Sequence, residues 1–155
     1  MGYNVIDIID KGIDIAQRKK VIYENLGKEK VDIPSLKIIS KILVKEIDAN
    51  IKYYETLKKE IGNSVLEEIN FEIYDRMSFL VNEFNEKVYV SQINNIKDYL
   101  KFFLGLERDT YSLLIDIQGR FVKTKSDMNT RTYKILSEII NNKAEHISTL
   151  EKVIK

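Results

Sequence analysis

The segment NNKAEHISTL, residues 141–150, holds the only histidine of the chain, His146. An imidazole can ligate a metal, move a proton or close a hydrogen bond. Lys143 stands three residues earlier, on the same face of a helical pattern, while the adjacent Glu145 points elsewhere and reads as solvated. Glu107 falls on an apolar helical stripe between Leu104 and Tyr111. A carboxylate there needs a partner or a route to water. Glu67, Glu68, Glu72 and Asp75, then Glu83 and Glu86, recur at helical spacing with Lys and Arg among them. They read as a solvated face and not as an acid/base pair. The chain has no cysteine, which removes thiolate nucleophiles, disulfides, iron–sulfur clusters and cysteine zinc sites. No phosphate loop, nucleophile elbow or catalytic triad occurs.

The elements that must position these residues are helical. The 155 residues suffice for one domain, 1–155, with a single core, and 44% hydrophobic against 32% charged residues is a globular balance. The net charge of +1 gives no field for nucleic acid. The patches QRKK (17–20) and KEK (28–30) lack the aromatic interleaving of a nucleic-acid groove. No apolar run approaches the roughly 18 residues of a membrane span. The start, MGYNVIDIIDKG, has acids inside its apolar stretch and is unlike a signal peptide. The expectation is a cytoplasmic protein with neither membrane nor nucleic-acid partners.

Helical periodicity predicts helix one over residues 4–26, on Ile6, Ile9, Ile13, Ala16 and Tyr23, with Gly27 as its stop. Asp32 as cap and Pro34 in the first turn open helix two, over 34–61. Its stripe is Leu36, Ile39, Leu43, Ile47, Asn50, Tyr54, Leu57 and Ile61, ended by Gly62-Asn63. Residues 65–90 hold Phe71, Tyr74, Met77, Phe79, Leu80 and Phe84, too many apolar groups to leave in water. They form a partly helical crossover packed along the bundle. Helix three runs from near Ser91 to Phe121 on Leu100, Leu104, Glu107, Tyr111, Leu114, Gln118 and Phe121. Ser126 or Asp127 caps helix four, whose stripe is Leu136, Ile139, Lys143, His146, Leu150 and Val153, widened by Ile140, Ile147 and Ile154. LKIISKIL (36–43) and YKILSEII (133–140) echo each other as a repeat of helical hairpins. The expected fold is all-α: a four-helix bundle of two antiparallel hairpins joined by a long crossover, the ferritin-like topology.

FLGLERDTYSLLIDI (103–117), followed by ILSEIINNKAEHISTLEKV (135–153), resembles the second hairpin of rubrerythrin-like members of the ferritin-like superfamily. IDIAQRKKVIYENL and EIDANIKYYETL are similar to the first hairpin. The resemblance implies an iron-dependent oxidase or peroxidase with six inward ligands. One glutamate comes from each of two helices, and a Glu-x-x-His pair from each of the others. Carried over, Glu107 keeps a glutamate position and His146 a histidine position. Ala16, Ile47, Asn50 and Lys143 stand where four other ligands would be. A one-residue shift of helix two would instead place Glu46 and Ala49 there, again without Glu-x-x-His.

Two of six ligands do not make the family's di-iron centre. The resemblance therefore implies a degenerate site, with the Lys143 ammonium paired with Glu107 where a metal would stand, and with His146 and Glu107 as vestiges. The expected function is a non-catalytic interaction or structural module without a cofactor, self-associating as a homodimer through helices one and two or the crossover. Two alternatives stay open. One is an iron enzyme with an atypical site from Glu107, His146 and Glu46 or Asn50. The other is a small-ligand binder using the vacated cavity between helices. Against all of these, His146 can be an inert residue at the core margin, Glu107 can reach water, and Lys143 can snorkel. Tyr23, Tyr54 and Tyr111 can be plain core.

Overall fold

The computed structural model describes residues 2–29, 34–62, 64–87 and 93–154. Asp32, Asn63 and Ser91, and the side chains of Val153 and Ile154, lie outside the described residues. The described chain is all-α: α1 (Val5–Glu29), α2 (Pro34–Ile61), α3 (Phe71–Lys87), α4 (Ile96–Gly119), a 3-10 turn (Lys125–Asn129) and α5 (Arg131–Ile154). Within the expected crossover, 65–90, residues 71–87 are helix, 65–70 are not and 88–90 lie outside the described residues, so the described α-helices are five rather than four. None of them is long and apolar enough to cross a membrane.

α1 packs mainly on α2, and α4 on α5. Both pairings are antiparallel, because partners rise in number along one helix as they fall along the other. In the first pair Lys58 meets Asp10, Lys20 meets Asp48, and Gly27 lies against Ser40. In the second, Gln118 bonds Ser137 and Arg108 reaches Glu151. α3 lies against α1 and α4. Its approach is tied down by the N-terminal segment: the Ile69 amide donates to the Tyr3 carbonyl at 2.6 Å, and the Tyr3 ring stacks on Tyr74 at 3.6 Å between centroids.

Several helix ends differ from the sequence expectation. α1 runs through Gly27 to Glu29. Gly27 serves close approach instead of termination, since a Cβ there would lie 2.5 Å from Ser40 Oγ. The Ser40 hydroxyl uses that proximity to donate to the Tyr23 carbonyl. Gly62 does close α2, at φ +52°, with its amide on the Lys58 carbonyl. α4 begins at Ile96, where Asn95 accepts the Asp98 amide at 2.9 Å. Asp127 accepts the Lys123 and Thr124 amides in the 3-10 turn and so does not cap the last helix. Thr130 accepts the Tyr133 amide there, and Glu67 takes both the amide and the hydroxyl of Thr132. One carboxylate of the acid-rich run is therefore bound to a helix N-terminus, where negative charge is favoured.

The core divides into two apolar clusters. One gathers Val5, Ile8, Ile9 and Ile15 with Tyr54, Leu57, Leu114, Ile117, Leu136 and Ile139. The other gathers Ala16, Tyr23 and Leu26 with Leu36, Leu43, Ile47, Tyr99, Phe103 and Leu106. On α4 the change of cluster falls between Leu106 and Leu113, and the buried residues in that gap are Glu107 and Thr110. A polar layer thus lies between two apolar ones. Of the stripe expected on α4, Leu104, Glu107 and Leu114 are buried while Leu100, Tyr111, Gln118 and Phe121 stay at the margin, and Tyr99, Phe103, Leu106, Leu113 and Ile117 are buried beside it.

The Gly27 contact separates packing from helix propensity. Gly105→Ala, with nothing within 4 Å of the new Cβ, is expected to raise stability by up to about 1 kcal/mol. Gly27→Ala gains the same propensity and drives a Cβ into Ser40, so it should lower stability by about 1–3 kcal/mol. Paired urea melts check the opposite signs.

Candidate functional site

Three helices bring a charged side chain each to the polar layer. On α1 the buried positions Ala16 and Tyr23 are seven residues apart, and the helical step between them lands on Lys19. Lys19 is 1% exposed. On α4 Glu107 follows the buried Leu106 and is 1% exposed, and on α5 Lys143 lies between Ile139 and Ile147 and is 3% exposed. Neither Glu107 nor Lys143 reaches water, so snorkelling is not their solution.

Glu107 is the hub. Its Oε1 accepts from Lys19 Nζ at 3.0 Å and its Oε2 from Lys143 Nζ at 2.6 Å. Thr110, one turn along α4, accepts a second hydrogen bond from Lys19 at 3.3 Å. It commits its own proton to the Leu106 carbonyl at 2.8 Å, which leaves an oxygen lone pair for the ammonium. Two aromatic hydroxyls complete the surroundings. Burial first, then the Glu107 charge, push the Tyr54 phenol up to about 12. The same two causes hold Tyr23 well above its ordinary value, and the buried Tyr23 hydroxyl has no hydrogen-bond partner among the described residues.

Two ammoniums share one carboxylate, so the layer carries a net positive charge inside the bundle. Its electrostatics follow from that imbalance. Burial opposes ionisation of Glu107, but Lys19 and Lys143 outweigh it and hold the carboxyl at about 2. Burial, then the like charge of Lys143, pull Lys19 down to about 8 despite Glu107. The arrangement favours Glu107 as an anion and strains Lys19 as a cation.

The residues expected to carry function separate into two groups. Lys143 and Glu107 come together in the core. His146 does not join them: it sits 28% exposed, with Nε2 3.3 Å from Glu46 Oε2 but not aligned as a hydrogen bond. The two line a surface groove of 310 Å³ between α2 and α5, with Asn50, Tyr53 and Asn142. Ala16 and Ile47 are buried apolar core, and Asn50 is half-buried. These residues do not fit a di-iron centre. The one carboxylate in the layer has both oxygens on ammoniums, and among the described residues no group of three His, Asp or Glu side chains could hold a metal ion.

Lys19 is the member that sequence reasoning missed. The basic run QRKK sets it beside Lys20, but of the two only Lys20 points outward, to Asp48 at 2.8 Å. The signal was present as a gap in the α1 stripe between Ala16 and Tyr23, since a buried stripe does not skip a turn.

The triad sets an order of mutational cost. Glu107→Gln strands two buried ammoniums and is expected to cost the most, about 3–5 kcal/mol or more. Lys19→Met leaves a neutral Glu107–Lys143 pair and should cost the least. An apolar triple replacement of Lys19, Glu107 and Lys143 should recover most or all of the loss. Additive energies in chemical denaturation would show that the three groups are not coupled.

The pH profile follows the same charges. Glu107 has a folded value below its unfolded one, so its contribution is complete above about 4.5 and is lost as pH falls towards about 2. Lys19 is depressed too, and for a cation this reverses the sense. The folded state carries a penalty below about 8 that fades as pH rises towards 10.5. Wild-type stability relative to Lys19→Met should therefore rise between pH 8 and 10, and a flat difference in melting temperature would contradict it. No family model, curated protein or solved structure matches the chain.

Proposed function

We propose that this chain is a ferritin-like bundle of the rubrerythrin type whose di-iron centre has given way to an internal lysine–glutamate–lysine layer. It works as a non-catalytic structural and interaction module. The observation that carries this reading is the occupation of both Glu107 oxygens by the ammoniums of Lys19 and Lys143. A ligand carboxylate must offer its lone pairs to a cation, and here two cations of the protein itself have taken them. A third positive charge at that position would be repelled by the other two. The two antiparallel hairpins, joined through a connection that carries α3, support the ferritin-like part of the reading. The cysteine-free sequence fits a cytoplasmic setting.

Incubation of the purified protein with ferrous iron in air, followed by elemental analysis, tests this. The expected result is iron well below one equivalent and an unchanged melting temperature. Near-stoichiometric iron that disappears in His146→Ala would replace this reading with an atypical iron site, because His146 and Glu46 lie 3.3 Å apart outside the lysine–glutamate layer.

A further inference from the structure

Two faces of the molecule are left apolar and oppositely charged. The first is on α3. Phe71 and Phe79 are 64% and 54% exposed although the rest of that helix buries Met77 and Val81. They are eight residues apart, hence on one face and about 12 Å apart along the axis. The exposed Glu72, Asp75 and Glu86 share that face, and Arg76 lies at its rim over the Phe79 ring. The second is on α2. Lys37, Lys41 and Lys45 form a ladder over the same eight-residue span, and with Lys28 they rim a groove of 490 Å³ between α1 and α2. Gly27, Ser40 and Val44 also line that groove, and Glu24 is its single acid. Ile38 and Ile42, 62% and 49% exposed, run alongside the ladder.

We propose that these two faces are the halves of one interface: the α3 face of one copy docks on the α2 face of a second copy. The signs are complementary, acidic around the phenylalanines and basic around the groove. The lengths match, since two phenylalanines and the ends of the lysine ladder have the same spacing. Pairing like faces, α2 on α2 or α3 on α3, would set lysines against lysines or acids against acids. Among the described residues the backbones of α2 and α3 make no close approach within one copy, and the exposed Phe71 and Phe79 and the groove-lining lysines are separate surfaces, so each copy presents both halves. A single such contact is head-to-tail and leaves one free half on each copy, which extends to an open chain or a ring, while two copies that make both contacts at once close as a two-fold dimer. The phenylalanines enter the groove among the lysine stems, and the ammoniums reach Glu72, Asp75 and Glu86. This deepens the reading of the bundle as an interaction module and rests on it.

Sedimentation velocity over a range of protein concentrations tests the proposal. The wild type is expected to self-associate as concentration rises, as a closed dimer or larger, with association weakened on the order of tenfold from low to high salt. Two variants block one face each: Phe71→Ser with Phe79→Ser on α3, and Lys37→Glu with Lys41→Glu and Lys45→Glu on α2. Each alone should be monomeric, and their mixture should stop at a one-to-one heterodimer, the signature of a head-to-tail contact. Circular dichroism melts on both variants verify that they fold.

A monomeric wild type at every concentration overturns the proposal. So does self-association that persists in either blocked variant. Binding to vesicles of anionic lipid that needs Lys37, Lys41 and Lys45, without self-association, would assign the α2 face to a membrane surface and equally overturn it. None of these substitutions touches Lys19, Glu107 or Lys143, so the iron result stands or falls separately.

Discussion

Glu107 is where the bundle is most constrained. A carboxylate at 1% exposure has no water to turn to, so every stabilising contact must come from side chains that other helices deliver to the same level. α1 delivers Lys19 and α5 delivers Lys143. This fixes the sliding position of three helices against one another more tightly than apolar contacts do. A leucine stripe can shift by a turn and still bury leucines. A lone buried carboxylate cannot shift by a turn and still find two ammoniums. The interaction is costly in desolvation, and a well-packed apolar layer of the same volume would be as stable or more so. What the layer contributes is register, an inference in line with the use of single polar core residues to fix helix alignment.

The excess positive charge sharpens this. One lysine would balance the glutamate, and the second leaves a cation in the interior whose proton is held weakly. Thr110 softens the imbalance by lending Lys19 an acceptor, with its own proton tied to the α4 backbone. The buried Tyr23 hydroxyl, without a hydrogen-bond partner among the described residues, lies in the same neighbourhood. The centre of the molecule therefore carries an excess charge flanked by two apolar clusters. Both oxygens of its carboxylate are taken by ammoniums.

Much of this was legible in the sequence, and the misses have physical causes. The all-helical class followed from period and from the scarcity of proline and glycine. α2 is readable from Pro34 to Ile61 because its stripe repeats in steps of three and four, although Asn50 within it is only half-buried and Ser40 outside it is buried. Gly27 misled because a glycine near a helix end signals a stop, whereas this one yields space to Ser40, a contact that exists only once α1 and α2 have paired. Lys19 was missed because charge was read before position. Periodicity put it inside, and composition put it in a basic patch. Position won because its turn lies between Ala16 and Tyr23, both buried, and because Glu107 waits on another helix, which no local signal could announce. His146 drew attention for the opposite reason: it is rare in the sequence and peripheral in the fold.

The exposed phenylalanines of α3 expose a second limit, between counting and direction. The crossover has enough apolar residues to be expected inside as a whole. Direction divides them, with Met77 and Val81 facing the core, Tyr74, Leu80 and Phe84 at its edge, and Phe71 and Phe79 on the far side. A single helix lying on α1 and α4 has only one face to bury, so an apolar band wider than that face must leave residues outside. The exposed Glu72, Asp75 and Glu86 stand on the same side as those two rings. The lysine ladder of α2 has the converse composition, with isoleucines beside cations. The same division, one polar layer enclosed within and two charged apolar faces turned out, follows from helices whose stripes are broader or more interrupted than a minimal bundle needs. The interior interruption sets how the helices align, and the surplus width sets what the surface can recognise.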